Sequence, residues 1–131
     1  MPDVKVFAIQ EANELLPRLT LLLEELQTKR DQVADLEVKI DALELVGGNE
    51  IEELIKQRED LVAEFYVTVD EIHANGCFLK DADMGLIDFY GMLDGKLVLF
   101  CWRLGEETVG FWHDADKGYT WREPLPESLD S

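Results

Sequence analysis

From Ile9 to Val46 the apolar residues fall in two interleaved rows with a seven-residue repeat. One row is Ala12, Leu19, Leu26, Val33 and Ile40; the other is Leu15, Leu22, Leu36 and Leu43, broken only by Lys29. A repeat held over four heptads predicts a coiled-coil seam, a helix packed lengthwise on another helix. At ~1.5 Å per residue this helix is about 55 Å long. Pro17 lies inside it and lacks the N–H owed to the carbonyl of Asn13, which predicts a kink. Gly47-Gly48 stops the helix, and Asn49 with Glu52 reads as a capping box for the next. The second helix is predicted from Glu50 to Ala74, with Ile51, Leu54, Ile55, Leu61, Val62, Phe65, Val69 and Ile72 on one face, and Asn75-Gly76 as its stop.

So short a link makes the two helices antiparallel neighbours. Residues whose numbers add to roughly 95 should then face each other, placing Arg58 near Glu37. The apolar stripe is wide at the open end, where Leu16 and Leu23 flank the seam, and narrow at the Gly-Gly tip. A wide stripe buries more neighbours, so the rest of the chain should pack at the open end and leave the tip as a projecting arm. An arm with little core of its own predicts a dimer joined through a four-helix bundle.

The pattern changes at Gly76. Short alternating runs follow: Cys77 to Lys80, Leu86 to Leu93, Lys96 to Trp102 across an Asp94-Gly95 hairpin turn, and Glu107 to His113 after a turn at 103–106. Asp114 to Gly118 is a polar loop leading to Tyr119-Thr120-Trp121-Arg122. The tail Glu123-Pro124-Leu125-Pro126 should be extended and its last residues frayed. The run from Leu97 to Trp102 is apolar on both faces, so both should be covered. The fold class is therefore α+β: a single domain over residues 1–131, with a long antiparallel helical hairpin over 8–75 and a small antiparallel β-meander over 77–122 at its open end.

Phe7 with Glu11-Ala12-Asn13 and Leu16-Pro17, then Gly85-Leu86-Ile87-Asp88-Phe89, resemble an uncharacterised prokaryotic family, domain of unknown function 2203. So do Cys101-Trp102-Arg103-Leu104-Gly105-Glu106, Trp112-His113, and Gly118 followed by Arg122, the Cys-Trp-Arg-x-Gly-Glu stretch being the most specific. The resemblance covers roughly residues 7 to 122 and implies no activity. Where the family pattern has Ser or Thr as N-cap of the first helix, this chain has Ala8, which predicts a frayed start.

Composition narrows the function classes. The chain has 131 residues, with 29 Asp plus Glu against 12 Lys plus Arg, a formal charge of −17. A nucleic-acid binder needs cations facing phosphate, and an anionic membrane surface repels this balance, so neither is an expected partner. No apolar run spans a bilayer and the N-terminus has no signal-peptide pattern. Two cysteines are too few for a disulfide scaffold and fit a reducing, cytoplasmic setting.

The candidate chemistry sits on the meander. Cys101 and His113 fall on adjacent strands near one end, with Glu106 at the connecting turn, a set able to bind zinc or to activate a thiolate. No CxxC or HxxxH spacing fixes such ligands, and a lone buried Cys is more often inert. Asp81 to Gly85 and Asp114 to Gly118 superficially suggest calcium loops, but Asx-turn chemistry explains them better. Arg103 and Arg122 could clamp an anion with His113 as proton donor or acceptor, or could pair structurally with Asp88, Glu106 or Asp114. Trp102 and Trp112 beside Arg103 and Arg122 form a candidate ligand or partner surface. The favoured reading is a cytoplasmic, non-enzymatic, oligomerising interaction module, a homodimer with room for a further protein partner and no cofactor. The alternative is a small-ligand- or metal-dependent enzyme using Asp88, Glu106 and His113 with Arg103.

Overall fold

The computed structural model describes residues 4–126. Helix α1 spans Ile9–Val46 and α2 spans Ile51–His73. Five strands follow, β1 (Phe78–Asp81), β2 (Leu86–Leu93), β3 (Lys96–Arg103), β4 (Phe111–His113) and β5 (Glu123–Pro124), in one antiparallel sheet ordered as in the chain. The protein is an α+β helical hairpin with a meander. No helix among the described residues is long and apolar enough to cross a membrane.

The core lies at the open end. Ile9, Ala12, Leu16, Leu19, Leu22, Leu23 and Leu26 of α1 pack with Ile72, Cys77 and the inward side chains Ile87, Phe89, Val98, Phe100 and Trp102 of the sheet. Beyond Leu26 only Leu36 and Ile40 of α1 are buried, and they stand outside this cluster. The last ties between sheet and hairpin are Gln27 Nε2 to the carbonyl of Ala82 at 2.9 Å and Arg30 to Asp83 at 2.6 Å. The helices continue past them as a two-helix arm. Lys29, the residue that breaks the apolar row, bonds the buried Thr68 hydroxyl at 3.1 Å across the seam. Its partner's number fits the register read from the link. No ion pair joins Arg58 to Glu37 among the described residues.

Several boundaries differ from the sequence reading. The start of α1 is held, not frayed: Ala8 N–H donates to Glu11 Oε1 at 3.0 Å, which is the half of a capping box that Ala permits. Just before it, Phe7 N–H donates to the Tyr90 carbonyl at 2.7 Å and bridges Gly91, extending the sheet edge where β1 stops. At α2 the expected Asn49 cap is replaced by Glu50, already in helical geometry and without a side-chain cap, and Glu52 and Glu53 face the positive end of the helix dipole. α1 runs through Pro17 without ending. It stops at Gly47, whose φ of 71° only glycine adopts freely.

The strand expected from Glu107 shrinks to Phe111–His113, because the segment before it dips to the helix. Val109 is fully buried and its N–H donates to Asn13 Oδ1 at 2.7 Å. Tyr119–Trp121 forms a 3-10 turn, after which β5 pairs with β4 and Leu125 N–H reaches the Gly110 carbonyl at 2.9 Å. The end of the tail lies outside the described residues.

Candidate functional site

Hairpin register decides what meets on the sheet. The turn at Asp94-Gly95, with φ of 52° and 79°, has the left-handed pair of residues that a two-residue hairpin link requires. It pairs Leu93 with Lys96 and, further along, Phe89 with Phe100 and Asp88 with Cys101. Opposed residues share a face, so Asp88, Leu99 and Cys101 lie on the side away from the helices. β4 adds His113 opposite Leu99. Both faces of β3 are thus covered, one by the helices and one by the loop after β4.

Asp88, Cys101 and His113 are all buried, and one ligand-type atom from each lies within 4.8 Å of the others. His113 Nε2 is 3.1 Å from Asp88 Oδ2, and His113 Nδ1 is 2.8 Å from the Asp114 carbonyl. A carbonyl only accepts, so Nδ1 carries a proton, and Nε2 turns to the carboxylate. Asp88 Oδ1 is buried with no hydrogen-bond partner. Burial raises the Asp88 carboxyl above the usual carboxylate range, with His113 and Lys80 opposing it. Burial also pushes the Cys101 thiol up to about 12, Asp88 adds to this, and the nearby Arg122 offsets part. An activated thiolate at neutral pH is therefore not what this pocket makes. Cys77 sits among the core residues on the helix side, its thiol pushed to about 11 by burial.

A cavity of about 370 Å³ opens over the Asp88–His113 pair, walled by Lys80, Met84, Lys117 and Tyr119. The other candidates do not join it. Glu106 closes its own turn: its carboxylate accepts from the Arg103 backbone N–H at 2.7 Å and from both terminal nitrogens of Arg122 at 3.1 and 2.8 Å. Arg122 lies over Phe111 and Tyr119, 3.9 and 4.3 Å from the ring centroids. Trp102 Nε1–H donates to the Glu106 carbonyl at 2.9 Å. The Cys-Trp-Arg-x-Gly-Glu stretch is thus a stitched turn. The carboxylate beside Cys101 and His113 is that of Asp88, while Glu106 is held by Arg122.

Two further readings change. Trp102, taken as part of a partner surface, is 1% exposed and belongs to the core, and Trp112 packs against that core half-buried. The exposed tryptophan is Trp121, at 66%, which nothing in the polar loop around it singled out. Arg103 and Arg122 also part company. Arg103 is exposed, and its side-chain contacts are the Tyr119 hydroxyl at 3.3 Å and that residue's ring. Arg122→Ala should therefore cost about 1–3 kcal/mol by orphaning half-buried Glu106, and Arg122→Lys should not restore it, lacking the bidentate fork. Arg103→Ala should stay within about 0.5 kcal/mol. Urea unfolding checks this, and equal losses at the two positions would contradict the assignment.

Neither acidic loop is built for calcium. Asp81 Oδ1 accepts from the Met84 N–H at 2.9 Å, an Asx-type turn, while Asp114 pairs with Lys96 and its carbonyl accepts from the Lys117 N–H at 3.0 Å.

The profile of a family described as uncharacterized conserved protein, DUF2203, matches residues 5–125. No curated protein and no solved structure matches the chain.

Proposed function

This chain belongs to the DUF2203 family, and we propose that it serves as a self-assembling interaction module of the cytoplasm, two copies joining their helical arms in a four-helix bundle. One observation carries this reading: no described side chain of α2 before Thr68 is buried, and Ile51, Leu54, Ile55, Leu61, Val62 and Phe65, which share one face of the helix, are only half-buried. One helix cannot dry this stripe. A cleft of about 550 Å³ lies along it, floored by Ala42, Leu43 and Leu54 and rimmed by Lys39, Glu50 and Glu53. Leu45, Val46, Tyr66 and Val67 are exposed elsewhere on the hairpin. Each side chain of the stripe, fully buried, contributes roughly 1.5–3 kcal/mol before the cost of association. A second copy presents the same seven-residue spacing and so the same ridges and grooves. Cys77 and Cys101, both free and buried, support the reducing compartment.

Charge gives this reading a signature. Residues 31–66 hold 11 acidic and 3 basic side chains, so two arms repel each other at long range. Salt screens that repulsion, and the dimer should tighten between about 0.02 and 0.3 M ionic strength. A basic protein partner would instead be released over the same range. Sedimentation equilibrium at protein concentrations on the order of tens of micromolar should return a dimer strengthened by salt, and Leu54→Asp should give a monomer with unchanged helicity. A monomer throughout that salt range would end the proposal.

A further inference from the structure

We propose that Asp88, Cys101 and His113 form a binding site for one divalent transition-metal ion of the zinc class, open on one side to the cavity between Lys80 and Tyr119. The inference is independent of the arms and starts from hydrogen-bond bookkeeping. His113 Nδ1–H is committed to the Asp114 carbonyl, which leaves the lone pair of Nε2 directed at Asp88 Oδ2, 3.1 Å away. Two lone pairs do not face each other at that distance unless a proton or a metal cation lies between them. The same His–carbonyl bond is the arrangement that fixes a metal-binding imidazole in its ligating tautomer.

The second observation is Asp88 Oδ1. Asp88 is 2% exposed, and this oxygen has no hydrogen-bond partner. An Asn at this position would donate to Nε2 and bury no charge, so a second buried carboxylate oxygen left without a donor points to a cation.

The spacing and donor types agree. An ion held at about 2.0–2.3 Å by O, N and S in tetrahedral geometry sets those atoms roughly 3.3–3.6 Å apart. The Asp88–His113 pair is already near that edge length, and all three atoms lie within 4.8 Å of one another. Thiolate, imidazole and carboxylate together suit zinc and its neighbours and not calcium or magnesium. Three protein ligands leave a fourth position. The cavity reaches Asp88 and His113, so water or a small ligand can enter there. On binding, the Cys101 S–H bond breaks, both its electrons go to the metal–sulfur bond, and the proton leaves to solvent.

Cobalt(II) titration of the full, chelator-treated chain tests this, with zinc as competitor. The expected result is one cobalt per chain, a thiolate-to-cobalt charge-transfer band in the near ultraviolet, and its loss when one equivalent of zinc is added. Cys101→Ser should abolish the band and Cys77→Ser should keep it. Zinc should raise the melting temperature of the unaltered chain by about 5 °C and that of the Cys101→Ser and Asp88→Asn variants by much less. The thermal comparison still decides if one variant folds poorly, since the other supplies it. Binding without a thiolate band, a band that survives Cys101→Ser, or binding weaker than about 100 μM would each overturn the site and leave only metal on acidic surface.

Discussion

Gly91→Ala is expected to destabilise the protein by about 3 kcal/mol or more, the upper end of what overpacking costs. A Cβ at this position would lie 2.1 Å from Cε2 of Phe100 and 2.3 Å from its Cζ. That ring cannot retreat easily. Phe100 is 2% exposed and stands in the inner layer between β2 and α1, and Phe7 locks the neighbouring Phe89 edge-on at a centroid distance of 5.1 Å. Gly91 also bridges Phe7, so pushing β2 away would break the anchor of α1. Space, not backbone conformation, is what glycine supplies here. Phe100→Leu in the Gly91→Ala background should recover part of the loss, the signature of a shared clash. Gly118→Ala, with nothing within 4 Å of the added carbon, should be close to neutral. Denaturant unfolding of the three variants decides the matter, and a loss below about 1 kcal/mol for Gly91→Ala would show that the sheet gives way there.

Trp102→Ala should cost about 3–5 kcal/mol. The indole is the largest of the fully buried side chains, and its Nε1–H satisfies the Glu106 carbonyl at 2.9 Å. Trp102→Phe should cost less, keeping most of the packing while leaving that carbonyl short of a donor. A partner-binding tryptophan would behave in the opposite way, with stability untouched and association lost. Thermal and urea unfolding distinguish the two, and a Trp102→Ala protein as stable as the parent would return this residue to the surface.

These two positions show how far the chain could be read without coordinates. The heptad rows placed α1 at its observed bounds, since a seven-residue repeat is local and is written in leucines. The two-residue turn at Asp94-Gly95 fixed the β2–β3 register, and that register already opposes Asp88 to Cys101. Sequence order alone places Glu106, at the turn between the strands of Cys101 and His113, as the carboxylate beside them. What prevents that is Arg122, sixteen residues on, whose guanidinium forks onto Glu106. Such long-range polar closure leaves no periodic trace. The same holds for Val109, drawn out of its predicted strand by Asn13 from the opposite end of the chain. Trp102 turns inward for a related reason: strand parity sets it opposite Ile87 on the helix-facing side, although an aromatic beside an arginine reads as a hot spot.

Because α1 is one unbroken helix, it enters the core through Leu26 and emerges as the arm up to Val46. Twenty residues at ~1.5 Å each make that overhang about 30 Å. The two ends of the helix therefore meet opposite surroundings on one continuous backbone: the packed core at Ile9 to Leu26, and open water at Leu45 and Val46.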